Sequence, residues 1–294
     1  MKRVRKAVLP VAGLGTRILP AAKTTPKNLL NVYDRPILAH VVAEGRAAGI
    51  EHFVFVVGRG QTAIEDYFDH AFELENQLQT KGRTALLDEV RADLLAPGQM
   101  SFVRQMAPLG LGHAVWCARD IIGDEPFAVM LPDMLMDAAP AALSQLLGAY
   151  EAVGGNIIAV EPAPDGETDK YGIVALGEVA TGFDGRLAAM TGMVEKPPLG
   201  TEPSNLFISG RYVLQPAIFE FLAAHAAGTG GEIQLTDAMA KLMATDPFHA
   251  LRYDGSTYDC GDKLGLLRAN LAFALKDDAN ADAVRTILRH AVQT

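Results

Sequence analysis

Gly13, Gly15, Thr16, Arg17 and Lys27 follow directly on the apolar run Ala7-Val8-Leu9-Pro10-Val11. A glycine-rich turn at the end of a buried strand lets main-chain N–H groups approach an anion with no Cβ in the way, and a hydroxyl, a guanidinium and an ammonium add donors. The chemistry open to such a set is phosphate binding. Asp133 ends a second apolar run, 126–131, after Pro132. Sheets of the α/β type present ligand residues at the carboxyl ends of their strands, where a carboxylate with phosphate oxygens and waters can hold Mg²⁺; a helix N-cap is the competing role. Phosphoryl transfer asks for in-line positioning and neutralised charge rather than covalent help from the protein. Arg17, Lys27 and Asp133 are therefore the first candidates for catalytic residues. Nothing in the sequence resembles a nucleophile–His–Asp triad.

Two familiar phosphate motifs fit poorly. A dinucleotide fold needs G-x-G-x-x-G and an acidic residue closing the next strand, but Ile18 takes the third glycine position and Val56-Val57-Gly58 stands at that strand end. The P-loop pattern G-x-x-x-x-G-K-[ST] does not occur.

Short apolar runs alternating with helical patterns must position these residues, which is the signature of βαβ units and a parallel sheet. The spacing predicts strands over 6–11, 52–57, 101–104 and 126–131, and helices over 37–48, 62–68, 113–121 and 142–152, the last stopped by Gly154-Gly155. A charged stretch over 72–95 has helical periodicity and is expected to cover an edge. The second half changes character. Strand-like runs at 156–160, 173–176, 188–194 and 206–213 read as an antiparallel or mixed extension of the same sheet, followed by helices near 217–224, 235–243, 263–274 and 282–290. Trp116, Phe127 and Phe219 read as core, and Asp137 and Asp262 as helix caps. No internal repeat or Pro/Ser-rich linker interrupts the chain, so one continuous α/β body over 1–294 is expected. It divides into two halves, 1–155 and 156–261, and a C-terminal helical part, 262–294.

The 294 residues suffice for roughly two units of about 150 residues, or one large α/β domain with an appendage. A content of 49% hydrophobic and 21% charged residues excludes a disordered chain. With 26 Lys+Arg against 35 Asp+Glu the net charge is -9, so there is no overall basic field for nucleic acid or anionic lipid. A polyanionic ligand must be held by a local cluster. Cys117 and Cys260 lie far apart and in no metal-like spacing, which reads as reduced thiols. The basic start followed by Ala7–Ala12 resembles a leader only until Pro10, Gly13, Gly15 and Arg17 interrupt it, and no run approaches the ~18 apolar residues of a membrane span. A cytoplasmic protein is expected.

The stretch held by Gly13, Gly15, Thr16, Arg17, Pro20, Pro26 and Lys27 resembles the fingerprint of the sugar nucleotidyltransferases. Further blocks match in order: Gly110-Leu111-Gly112-His113-Ala114-Val115, Leu131-Pro132-Asp133, Val194-Glu195-Lys196-Pro197, Gly210-Arg211-Tyr212, Glu232-Ile233-Gln234-Leu235-Thr236-Asp237 and Tyr258-Asp259-Cys260-Gly261-Asp262. They span most of the chain and are most similar to the bacterial branch that joins UTP and glucose 1-phosphate into UDP-glucose and pyrophosphate. The resemblance implies a Rossmann-like, mixed but mostly parallel sheet flanked by helices, of the glycosyltransferase-A-like type, with an antiparallel sugar-side extension and C-terminal helices.

The resemblance also implies roles. Arg17 and Lys27 would bind the triphosphate and stabilise the departing pyrophosphate. Ala12, Gly13, Gly15, Thr16, Gln105 and Gly110 would bind the nucleotide, Gln105 offering both a donor and an acceptor to the imide edge of uracil. Gly172 would let the main chain approach the glucose, and Glu195 and Lys196 would take sugar hydroxyls and phosphate. Neighbours on a strand face opposite ways, so Lys196 reaches the phosphate only if the strand bends, for which Gly192 and Pro197 supply the irregularity. Asp133, with Asp259 as second carboxylate, would hold Mg²⁺. His113 is read as an orienting or helix-terminal histidine. A homo-oligomer, tetramer or dimer, is implied, and 72–95 and 282–290 are long enough to mediate it.

Two departures stand out. Where the family usually reads Pro-Lys-Glu-Met-Leu-Pro this chain has Pro26-Lys27-Asn28-Leu29-Leu30-Asn31, a change expected at the wall near the nucleotide. Asp133 is followed by Met134 where a second Asp is common. Alternatives therefore stay open: another nucleoside triphosphate or sugar phosphate, or a regulatory paralogue of weak activity.

Overall fold

The computed structural model describes residues 1–226, 228 and 231–291. Its strands are β1 (Lys6–Pro10), β2 (Asn31–Val32), β3 (Arg35–Pro36), β4 (His52–Val57), β5 (Met100–Arg104), β6 (Phe127–Met130), β7 (Met134–Asp137), β8 (Asn156–Pro162), β9 (Gly172–Val179), β10 (Leu187–Glu195), β11 (Leu206–Leu214), β12 (Phe248–Leu251) and β13 (Ser256–Asp259). The helices are α1 (Ile37–Ala47), α2 (Thr62–Tyr67), α3 (Phe72–Thr80), α4 (Thr84–Ala92), α5 (Leu111–Cys117), α6 (Arg119–Ile122), α7 (Ala142–Val153), α8 (Ile218–Ala223), α9 (Leu235–Leu242), α10 (Lys263–Ala274) and α11 (Ala281–Ala291).

One nine-stranded sheet runs β5-β4-β1-β6-β11-β8-β12-β10-β9. The first four strands are parallel. Beyond them the sheet is mixed, with β11 antiparallel to β6 and β8, β12 parallel to β8, and β10 antiparallel to β12 and β9. Phe207 of β11 also pairs with Ile173 of β9, so the last five strands return on themselves.

Both faces of β1, β4 and β6 are covered, which is why these strands read as apolar runs, whereas β5 at the edge is only half-buried. Along β1, Ala7 and Leu9 enter one core with α1 and α7, while Val8 enters the other with α5, α8 and α9. In β4, Phe53 and Phe55 alternate with Val54 and Val56 in the same way, as the two-residue period of a strand requires. No helix among the described residues is long and apolar enough to cross a membrane.

Several expectations change. The 72–95 stretch is not one helix but the hairpin α3–α4, whose charged outer faces carry the helical period across the break at 81–83. The 113–121 helix is α5 and α6, meeting at Ala118. Trp116 is half-buried, with the Arg119 guanidinium 3.7 Å above its ring, whereas Phe127 is fully buried and stacked on Phe219. Asp262 does cap α10, accepting from Leu264 and Gly265 N–H at 2.9 Å. Asp137 caps nothing; it lies on β7 and pairs with Lys276. Strands β12 and β7, four residues each, were not anticipated, and neither was the pairing of β7 with the short strand β13 before Asp259.

Candidate active site

The carboxyl ends of β1, β5 and β6 release three loops, 11–15, 105–110 and 131–133, on one edge of the sheet, and they wall a cleft of 420 Å³. The carbonyl of Val11, at the root of the first loop, accepts from Asn28 Nδ2 at 3.2 Å and Gln61 Nε2 at 3.0 Å. Asn28 is thus not on the nucleotide-side wall, as expected, but buried beneath the loop, with its Oδ1 unpartnered. Gly15 adopts φ 65°, and a Cβ there would meet Lys27 Cβ at 2.9 Å. Its glycine keeps the loop folded onto Lys27, and it does not itself line the cleft. Ala12, Gly13, Thr16, Lys27, Gln105, Gly110 and Asp133 do.

The charged centre joins distant parts of the chain. Lys27 Nζ lies 2.5 Å from Asp133 Oδ2, with both side chains largely buried. Arg17 reaches Asp259 Oδ2 at 3.2 Å and Asp133 Oδ2 at 4.0 Å. Asp133 and Asp259 are neighbours because the ribbon pairs Met134 with Asp259, and the Cys260 N–H donates to the Asp133 carbonyl at 2.7 Å. Burial alone would raise the Asp133 carboxyl; the Lys27 ammonium, its hydrogen bond and Arg17 hold it below the usual carboxylate range. Met134, the second departure, starts β7 and packs against Gly210.

At the other end of the cleft Gln105 is buried, and its amide nitrogen lies 3.1 Å from both the Gly110 carbonyl and His113 Nδ1. Its donors are committed, so it offers the cleft an acceptor rather than the expected donor and acceptor. Sequence reasoning missed the facing wall. Ile233 exchanges main-chain hydrogen bonds with Leu109 and Gly112 at 2.8 Å, which brings Glu232 to the cleft; the block Glu232-Ile233-Gln234 was visible but carried no assigned role.

Gly172, Glu195 and Lys196 lie outside that cleft, at the end of the β9–β10 ribbon where Gly172 pairs with Glu195. The strand stops at Glu195, and Lys196 takes φ 46°. This turn removes the alternation problem, because Lys196 Nζ then lies 3.6 Å from Glu195 Oε1, on the same side. A Cβ on Gly172 would stand 3.1 Å from both Glu195 Oε2 and Thr236 Oγ1. The buried phenol of Tyr212 is raised first by desolvation and then by the charges of Glu195 and Asp133.

A second buried ion pair, also unforeseen, underlies the site. The Arg211 guanidinium, fully buried, is bound to both carboxylate oxygens of Glu44 and donates at 3.0 Å to the carbonyl of Leu131, two residues before Asp133.

The residues present suit a hard divalent cation shared with a substrate. Among the described residues no cluster of three or more His, Cys, Asp or Glu stands ready to cage an ion. Two carboxylates, Asp133 and Asp259, face the glycine loop and its cations, and Mg²⁺ is commonly held by one or two carboxylates with waters and substrate phosphates.

A family model described as Nucleotidyl transferase matches residues 6–275. The chain is 48% identical over 278 residues to a protein of Bacillus subtilis (strain 168) named UTP–glucose-1-phosphate uridylyltransferase, covering 94% of this chain and 93% of that one. Among solved structures it is similar to a UTP-bound UGPase from Acinetobacter baumannii, with TM-score 0.88 and 43% identity over 97% of this chain and 98% of that chain. It is also similar to a UDP-glucose pyrophosphorylase complexed with UDP-glucose, with TM-score 0.80 and 35% identity over 92% and 98% of the two chains.

Proposed function

The chain belongs to the nucleotidyl transferase family, and we propose that it transfers UMP from UTP to glucose 1-phosphate, giving UDP-glucose and pyrophosphate. The observation that carries this reading is the convergence of Lys27, Arg17, Asp133 and Asp259 beside a glycine loop, in a chain whose relatives bear that activity in their names.

The 11–15 loop N–H groups, Thr16, Arg17 and Lys27 hold the triphosphate, and Gln105 meets the base. Glu195 accepts from sugar hydroxyls while Lys196, turned onto the same side, takes the sugar phosphate. A phosphate oxygen of glucose 1-phosphate attacks the α-phosphorus in line; the bond to the β-phosphate bridging oxygen breaks, and the charge on the leaving pyrophosphate falls to Arg17 and Lys27. Asp133 and Asp259 would hold Mg²⁺, which when bound neutralises phosphate charge. Residues 1–155 would form the nucleotide half, 156–261 the sugar half and 262–294 the C-terminal helices; of these, 227, 229, 230 and 292–294 lie outside the described residues.

We assign the protein to the cytoplasm, where the free thiols Cys117 and Cys260 stay reduced. We also propose a homo-oligomer, dimer or tetramer, using the exposed Leu264, Leu267 and Ile287 of α10 and α11; light scattering tests it, and a monodisperse monomer contradicts it. For the reaction, product analysis with UTP and glucose 1-phosphate is the test, with dTTP and other hexose 1-phosphates as competitors. UDP-glucose is the expected product. Preferential use of a competitor contradicts the substrate assignment.

A further inference from the structure

Behind the base end of the cleft lies a group of side chains that the reaction above does not use. The His113 ring is 5.9 Å from that of Trp116 and 5.5 Å from that of His225. These rings do not line the cleft, but Gln105 does, and His113 touches it.

The geometry fixes the Gln105 amide. The carbonyl of Gly110 can only accept, so the Gln105 atom 3.1 Å from it is the nitrogen. That same nitrogen lies 3.1 Å from His113 Nδ1, which must therefore also accept, leaving the ring neutral with its proton on Nε2. Both N–H bonds of Gln105 then point away from the ligand, and Oε1 is the atom left for the N3–H of a uracil.

We propose that His113 is a positioning residue for the nucleotide: by accepting from Gln105 it holds Oε1 ready for the base, and a proton on Nδ1 releases that hold. The inference rests on the reading of this cleft as a UTP site.

Burial, and secondarily the nearby His225, lower the His113 pKa from its ordinary value, so the accepting form prevails at neutral pH. The other titratable groups around it leave the hydrogen bond intact. Cys117 Sγ lies 3.9 Å from Nδ1, and Arg119 sits over Trp116. Glu232 faces Gly110 from the opposite wall, Asp237 of α9 turns to Gly228, and Lys6 of β1 is tied to the carbonyls of Ile121 and Ile122. Glu220 of α8 lines a separate hollow with Arg119. When the pH falls through the lowered His113 value, N–H faces N–H and Gln105 is displaced. The phosphate end is untouched, so KM for UTP should rise with kcat unchanged.

Two variants separate positioning from packing. In His113→Asn, Oδ1 takes the place of Nδ1 on the same Cγ and accepts without titrating, whereas His113→Phe keeps a flat ring and removes the acceptor. KM for UTP and kcat are measured for all three proteins between about pH 5.5 and 8, where an imidazole titrates. The expected result is a KM raised about fivefold in His113→Phe at neutral pH, and in His113→Asn a KM within about twofold of wild type. The phosphates of UTP titrate in the same range, so the ratio of wild-type to His113→Asn KM isolates the ring; it should climb on the acid side. A flat ratio, or a wild-type KM in a folded His113→Phe, overturns the inference alone. A wild-type protein that makes no UDP-glucose overturns the UTP reading and the inference with it.

Discussion

Lys27 Nζ lies 2.5 Å from Asp133 Oδ2, a contact between the loop after the first strand and the loop after β6 across 106 positions of sequence. On the proposed reading it joins a phosphate-binding cation to a metal-binding carboxylate; in the structure it keeps the carboxylate ionised in a largely buried place.

Replacing Asp133 by Asn should lower kcat by about a thousandfold or more, the scale of losing a group that neutralises transferring phosphates. The amide oxygen can still accept from Lys27, so stability should fall by only about 1 kcal/mol. Pyrophosphate release and urea unfolding check the two. Because the folded Asp133 pKa is depressed, its pairing stabilises the protein above the ordinary aspartate value of about 3.9 and is lost as pH falls through the lower folded value. The variant should lack that part of the acid dependence.

The Cys260 thiol is pushed up to about 12, first by burial and then by the charges of Asp259, Asp133 and Asp262. It sits beside the charged centre yet stays protonated and shielded, since the thiolate is the nucleophile. Iodoacetamide at pH 8 should leave Cys260 unlabelled in the native protein and label it after unfolding, by peptide mass spectrometry. Rapid native labelling with loss of activity contradicts this placement.

Arg211→Met should cost about 3–5 kcal/mol in denaturant unfolding, because it strands the buried Glu44 carboxylate. The double variant Glu44→Leu with Arg211→Met should cost less than the sum of the single changes. Additive losses would mean that the two groups do not act as a pair.

Lys196→Ala should raise KM for glucose 1-phosphate about tenfold or more, as for a charge-assisted hydrogen bond, and leave KM for UTP nearly constant. Gly172→Ala should act in the same direction, since its methyl enters the gap between Glu195 and Thr236. Steady-state kinetics with each substrate varied gives the split.

The parallel half of the sheet was legible because β1, β4 and β6 are buried on both faces, which writes them as apolar runs ending in Gly, Pro or Asp. Residue types at the centre, Arg17, Lys27, Asp133 and Asp259, were legible for the same reason or by resemblance. The approach of Asp259 to Asp133 was not, since it depends on the β7–β13 ribbon, two four-residue strands whose contact leaves no local pattern. The Asn28 change reads as a wall substitution until the fold buries it under Val11. Gln105 has two hydrogen-bonding faces in any sequence, and only Gly110 and His113 decide which one the cleft receives. The left-handed turn at Lys196 likewise escapes a strand-alternation argument, because nothing in Glu195-Lys196-Pro197 fixes where the strand stops.

UMP transfer at the Lys27–Asp133 centre is decided by pyrophosphate release from UTP on addition of glucose 1-phosphate and Mg²⁺, with wild type and Asp133→Asn side by side at equal folded concentration. Release stoichiometric with UDP-glucose is expected in the wild type, dependent on UTP, glucose 1-phosphate and Mg²⁺ together, and nearly none in the variant. Release by the variant at the wild-type rate, or none from a folded wild type, would contradict it.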